Sequence, residues 1–138
     1  MSVLRTDRTA GYAVAALRIM SALVLLQHGL QKVFLLLPVP GAPVRQFDPF
    51  TRSGAAGIIE VVGSTLLALG LFTRATAFVL AGEMAFAYFL AHAPRGFFPV
   101  LNRGEVPVLL CFIFLALAAI GPGSPSLDGA IATRRRRP

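Results

Sequence analysis

The chain has 138 residues, 56% of them hydrophobic and only 14% charged, with a mean hydropathy of +0.73. A domain this small leaves a large share of its surface exposed, so a water-surrounded core cannot absorb that many apolar side chains, and a soluble enzyme is disfavoured. The net charge of +7 does not point to nucleic acid, because the basic residues stand singly except for the run at residues 134–137, and a short basic run beside a membrane contacts anionic lipid headgroups.

Apolar runs of about 20 residues, the length that crosses a bilayer as a helix, occur at residues 11–37, 54–72, 75–93 and 104–120. They predict an all-α fold: one integral membrane four-helix bundle over residues 1–138, closed by a short Arg-rich tail at 134–138. The first run stops at PVPGAP, whose prolines cannot continue a helix, and Arg18 within it argues against a cleaved signal peptide. Thr73 and Arg74 alone part the second and third runs, as in a helical hairpin. Phe97 and Phe98, beside Pro99, suit an interfacial anchor or a partly re-entrant loop. The small residues Gly57, Gly63, Gly70, Ala81, Gly82 and Ala85 suit close helix packing.

Basic residues set the expected direction. Arg5, Arg8, Arg74 and residues 134–137 make seven on one side, against four on the other: Arg45, Arg52, Arg95 and Arg103. Positive charge collects on the cytoplasmic side, so both termini are expected there, with the protein multi-pass in the inner or plasma membrane.

Ionisable side chains inside a bilayer are costly and usually face the bundle in pairs. At about 100° per residue, Arg18, Ser21, His28 and Lys32 share one side of the first helix, while Gln27 points away. Judged by depth, Arg18 can meet Glu83, a pair that would fix helix order. Lys32 and His28 lie level with Glu60, and His92 and Glu105 sit at the outer ends of the last two spans. Lys32 with Glu60 can also be a mere registry pair. His92 and Glu105 can each be simple interface residues, since helix ends tolerate polar side chains that reach the headgroups. Together, however, His28, Lys32, Glu60, His92 and Glu105 exceed what registry needs, and form the candidate ligand or proton site.

Several site types lack their residues. Cys111 is the single cysteine, which leaves no intramolecular disulfide, CxxC pair or cysteine-built metal centre. A carboxylate-bridged di-iron site needs Glu-x-x-His, but Gly63 follows Glu60 at that spacing and Phe86 follows Glu83. Haem ligation by His28 and His92 has no further signature, so no metal is expected. No dinucleotide fingerprint, P-loop or nucleophile elbow is present.

The segments RIMSALVLLQHGLQKVF, GIIEVVGSTLLALGLFTRATA, GEMAFAYFLAH and NRGEVPVLLCFIFLALAAIGPGSPSLDG resemble, in that order, the DoxX family of small four-helix membrane proteins, over residues 11–129. The matching positions are Arg18, His28, Gly29, Lys32, Glu60, Gly63, Gly70, Thr73, Arg74, Glu105, Ser126 and Asp128. The resemblance implies a subunit associated with quinone-linked oxidoreductases, for which the family is named; many relatives carry only an inferred redox role. With one cysteine and no evident cofactor ligand set, this chain departs from a simple redox protein. Electron transfer would need a quinone or a soluble or membrane redox partner. The expected function is therefore a quinone-linked oxidoreductase subunit, or a membrane component of a redox complex, that binds a small amphiphile between its helices. The alternatives are a small-solute or lipid carrier, recognisable by an inverted repeat or broken helices, and a non-catalytic scaffold for a soluble enzyme. Small residues facing lipid leave a homodimer open.

Overall fold

The computed structural model describes residues 2–38, 40–41 and 46–135, and side chains from residue 8 onward. The Arg5 side chain and Arg45, Arg136 and Arg137, which enter the charge count above, lie outside the described residues.

Six α-helices and no strand occur among the described residues: α1 (Ser2–Val33), α2 (Arg52–Leu69), α3 (Thr73–Ala87), α4 (Pro99–Asn102), α5 (Glu105–Ile120) and α6 (Leu127–Arg135). Helix α3 continues as a π-helical turn, Tyr88–His92, and a 3₁₀ turn, Ala93–Arg95. The segments Arg8–Val33, Arg52–Leu69 and Thr73–Arg95 are long and apolar enough to cross a membrane. Helix α5 is apolar but has 16 residues, about 24 Å against a hydrocarbon core of about 30 Å. The protein is thus a four-helix membrane bundle with three long spans and a shorter one.

Two ends differ from the expected boundaries. Helix α1 stops at Val33 rather than at residue 37, because Leu35 and Leu37 take positive φ (55° and 57°), a conformation that ends a right-handed helix. Gln31 closes this turn by donating to the Leu37 carbonyl at 2.7 Å. The second difference is α6, a helix beyond the four expected spans that begins at Leu127 and runs into the Arg-rich tail expected at 134–138.

Packing follows the small residues. Helix α1 lies chiefly on α2, and α3 on α5. A Cβ at Gly29 would sit 2.9 Å from the Val61 backbone nitrogen, and one at Gly57 2.8 Å from Lys32 Cβ. These two glycines let α1 and α2 approach at the level of Lys32 and Glu60. Gly82, expected to do the same, is exposed with nothing near it, and Gly70 acts as a helix cap instead. The core runs through Ala22, Leu25, Leu67, Leu80, Met84 and Phe114. Phe78, Phe86 and Phe112 point outward, where lipid tails are as apolar as they are.

One end of the bundle is closed by a polar knot. Arg18, 1% exposed, donates to the carbonyls of Leu67 and Ala68 at 2.6 Å, Pro125 at 2.7 Å and Pro122 at 2.8 Å. It therefore satisfies the open carbonyls at the C-terminus of α2, where a cation is also favoured by the helix dipole, and ties down the chain after α5. Gly70 ends α2 at φ 67°; a Cβ there would lie 2.7 Å from Ser126 Cβ and 2.8 Å from the Arg18 guanidinium. Arg74 donates to the carbonyls of Ala118, Ala119 and Ile120 at 2.5–3.1 Å, capping α5. The Ser124 N–H reaches the Gly11 carbonyl at 3.1 Å, so the first span begins and the last span ends on the same face of the bundle.

Asp128, at the start of α6, accepts from the Phe72 and Thr73 N–H groups at 2.9 Å each and so caps α3 from a distant part of the chain. Partial burial pushes its carboxyl upward, but the hydrogen bonds from Thr73 and Phe72, with the nearby Arg18 charge, outweigh this and hold it below the usual carboxylate range. A carboxyl depressed on folding contributes stability above its unfolded value, near 4, and loses it as pH falls through the folded value. Asp128→Ala is expected to lower stability by about 1 kcal/mol at neutral pH, as for a lost cap. Thermal unfolding from pH 7 downward should show the wild-type advantage shrinking only below about pH 4. An advantage that stays constant into stronger acid would contradict the cap.

Candidate functional site

The opposite end of α1 carries the charges that have no such backbone partners. Its buried face runs through Ala15, Arg18, Ala22, Leu25 and Gly29, and Lys32 extends that face by nearly one turn. Close approach at Gly29 and Gly57 brings the Lys32 ammonium to Glu60, Nζ to Oε1 2.5 Å. Glu60 is 1% exposed and lies on the face of α2 formed by Gly54, Gly57, Gly63, Ser64 and Leu67. It is the ion pair found among the described residues.

Its environment is incompletely satisfied. Glu60 Oε2, Glu83 Oε2 and Ser64 Oγ are all buried without a hydrogen-bond partner. Ser64 lies one turn beyond Glu60 on the same helix face, and Glu83 projects from α3, which packs beside α2. The structure thus joins Lys32 to Glu60, with His28 one turn before Lys32 on α1 and Ser64 one turn after Glu60 on α2.

This differs from the sequence-based expectation in three respects. Glu83 is not paired with Arg18, whose guanidinium is occupied by four carbonyls at the knot; depth along separate helices places two groups at a level but not on facing sides. His28 is exposed, because it stands about 100° from its neighbour Gly29 on the helix, at the rim of the buried face. His92 and Glu105 are not joined to the group by any hydrogen bond or ion pair among the described residues. His92 Nδ1 lies 3.1 Å from the Asn102 carbonyl oxygen. Glu105 is exposed in the first turn of α5, where a carboxylate suits the helix dipole.

Asn102, which the sequence reading did not single out, is 2% exposed and organises the loop before α5. It donates to the Gly96 carbonyl at 2.5 Å and accepts from the Gly104 N–H at 2.7 Å. Tyr88 donates to the Phe97 carbonyl, so the exposed Phe97–Phe98 corner hangs from a fixed frame. Its signal was an Asn two residues before a Gly, a common turn composition. Ser64 was legible only as the residue four after Glu60.

In chemical terms the group offers an ammonium and an imidazole as donors, and carboxylate oxygens with free valence. The His28 residue is exposed, the Lys32 side chain is 30% exposed, and Glu60 is buried.

The DoxX family profile matches residues 13–93, which include α2, α3 and every member of this group. Over 122 residues the chain is 45% identical to an uncharacterized protein of Haemophilus influenzae, covering 85% of this chain and 89% of the relative. Over 143 residues it is 33% identical to an uncharacterized membrane protein of Mycobacterium tuberculosis, covering 88% and 83%. No solved structure matches the chain.

Proposed function

The chain belongs to the DoxX family of membrane proteins, and from that premise we propose that it binds a quinone-class amphiphile at His28, Lys32 and Glu60 as the membrane subunit of a redox complex. The observation that carries this reading is the buried Glu60, with one oxygen on Lys32 and the other unpartnered, while His28, one turn before Lys32 on α1, is exposed. A quinone, when bound, supplies two-electron, two-proton chemistry; the electrons would come from a partner redox protein. The residues present fit such a group. His28 and Lys32 can donate to a carbonyl oxygen, Glu60 Oε2 can accept from a hydroxyl, and the outward apolar side chains suit an isoprenoid tail. We further propose that the Arg18 knot and both termini face the cytoplasm of a plasma membrane, on the charge count made above. A phosphatase fused after residue 138 and active only outside the cytoplasm is expected to be silent; activity would reverse the orientation.

The test of the binding reading is mass spectrometry of small molecules retained by gently purified protein. Wild type is expected to carry quinone, and the His28→Ala, Glu60→Gln double variant to lose at least about nine-tenths of it, the result of removing about 1.4 kcal/mol of binding energy. Bulk phospholipid alone in both would reject the quinone reading and favour the carrier or scaffold.

A further inference from the structure

We propose that the segment from Gly96 to Arg103 is a re-entrant loop. It dips back into the leaflet at the end of the bundle away from the knot, sets its apolar corner among the acyl chains, and holds phospholipid phosphates with Arg95 and Arg103. This goes beyond the quinone reading and does not depend on it.

The depth follows from the helices on either side. Arg74, in the first turn of α3, donates to the carbonyls of Ala118, Ala119 and Ile120 at the end of α5. The two helices, which pack on one another, are therefore level at the charged knot. At a rise of about 1.5 Å per residue from there, Tyr88 on α3 and Glu105 on α5 both stand about 22 Å up the bundle, inside a hydrocarbon core about 30 Å thick. A contact marks their common level: a Cβ on Gly104 would lie 2.7 Å from the Tyr88 ring. The chain nonetheless runs on past Tyr88 through the turns that end at Arg95, and so must come back down before α5 begins. Tyr88 itself holds the returning segment, by donating to the Phe97 carbonyl.

Non-helical backbone at that depth needs its polar groups paired within the protein. The loop has this pairing. Besides the Tyr88 bond, the buried Asn102 donates to the Gly96 carbonyl at 2.5 Å and accepts from the Gly104 N–H at 2.7 Å. His92 Nδ1 lies 3.1 Å from the Asn102 carbonyl oxygen, and the Leu101 and Asn102 N–H groups both reach the Phe98 carbonyl. Outside this polar frame the surface is the reverse of a water-facing loop: Phe97, Phe98, Val100 and Leu101 are 64–76% exposed. Arg95 and Arg103, both exposed, bracket them. Long arginine stems lie along apolar surroundings while the guanidinium reaches the headgroups, where its fork matches phosphate oxygens. Two arginines against Glu105 leave residues 95–105 net positive, which favours an anionic headgroup. Because Arg103 stands beside the start of the short α5, the phosphate it holds lies deeper than its neighbours, and the leaflet thins there.

The chain contains no tryptophan, so Phe98→Trp reports the surroundings of the corner. In the full chain reconstituted into phosphatidylethanolamine–phosphatidylglycerol vesicles without quinone, its emission should be blue-shifted, quenched by lipids brominated on the acyl chain and untouched by aqueous iodide. Leu101→Trp should behave in the same way, and is read instead if Phe98→Trp fails to fold. For the phosphates, native mass spectrometry of protein released from detergent is the readout. Phosphatidylglycerol should bind about tenfold more weakly to the Arg95→Gln, Arg103→Gln double variant than to wild type, the equivalent of about 1.4 kcal/mol, with the melting temperature unchanged. Quenching by iodide and none by brominated lipid would put the corner in water, as a docking face for a soluble partner, and overturn the re-entrant loop. Unchanged phosphatidylglycerol binding in the double variant would overturn the phosphate contacts. Neither result bears on whether quinone binds at Glu60.

Discussion

Arg18→Leu should destabilise the bundle by about 4 kcal/mol. Each hydrogen bond to a charged donor is worth about 1.5–3 kcal/mol, and Arg18 makes four of them, to Leu67, Ala68, Pro122 and Pro125. They share one side chain and are not independent, so the loss falls short of their sum. Leucine fills the space yet leaves the last carbonyls of α2 without donors in a buried setting, and frees the segment that leads to α6. Lysine is no substitute: its point charge cannot fork across carbonyls from two elements as a planar guanidinium does, and Arg18→Lys should recover less than half of the loss. Chemical unfolding in mild detergent measures both variants. A change below about 1 kcal/mol for Arg18→Leu, typical of a surface site, would mean the knot does not hold the bundle together.

The spans were legible because apolar length and proline-rich interruptions report directly on a bilayer. So was the meeting of Lys32 with Glu60, since both sit at one depth and their helices carry glycines at that level. The fate of Arg18 was not. Buried charge suggests an opposite charge, and the only carboxylate at its depth was Glu83. Its actual partners are main-chain carbonyls that become available only because α2 ends at Gly70 and the chain after α5 folds back over it, neither of which shows as a side-chain pattern. The same holds for Asp128, which reads as a motif residue but works as a cap on a helix 55 residues away. His92 and Glu105 were grouped with Glu60 by depth alone; depth fixes one coordinate and leaves the azimuth open. Of the positions that resemble the family pattern, Arg18, Gly70, Thr73, Arg74, Ser126 and Asp128 thus stand at the end closed by the knot, and His28, Gly29, Lys32 and Glu60 lie together toward the other end.

The Lys32–Glu60 pair is the place where stability and function can be separated. Lys32→Met leaves the buried Glu60 without its cation and should cost about 3 kcal/mol, the lower end for a broken buried pair because the lysine is partly exposed. Replacing the pair as a whole, Lys32→Met with Glu60→Leu, removes both charges and should return stability to within about 1 kcal/mol of wild type, since an apolar pair of similar size avoids the desolvation cost that the ions bear. If the pair served helix registry alone, this double variant would keep whatever the bundle does. The proposed function expects the opposite: a stable protein that retains no quinone and supports no quinone-linked turnover in its complex. Unfolding curves and retained-lipid mass spectrometry on the single and double variants settle which holds, and a stable double variant that still binds quinone would move the site away from Glu60.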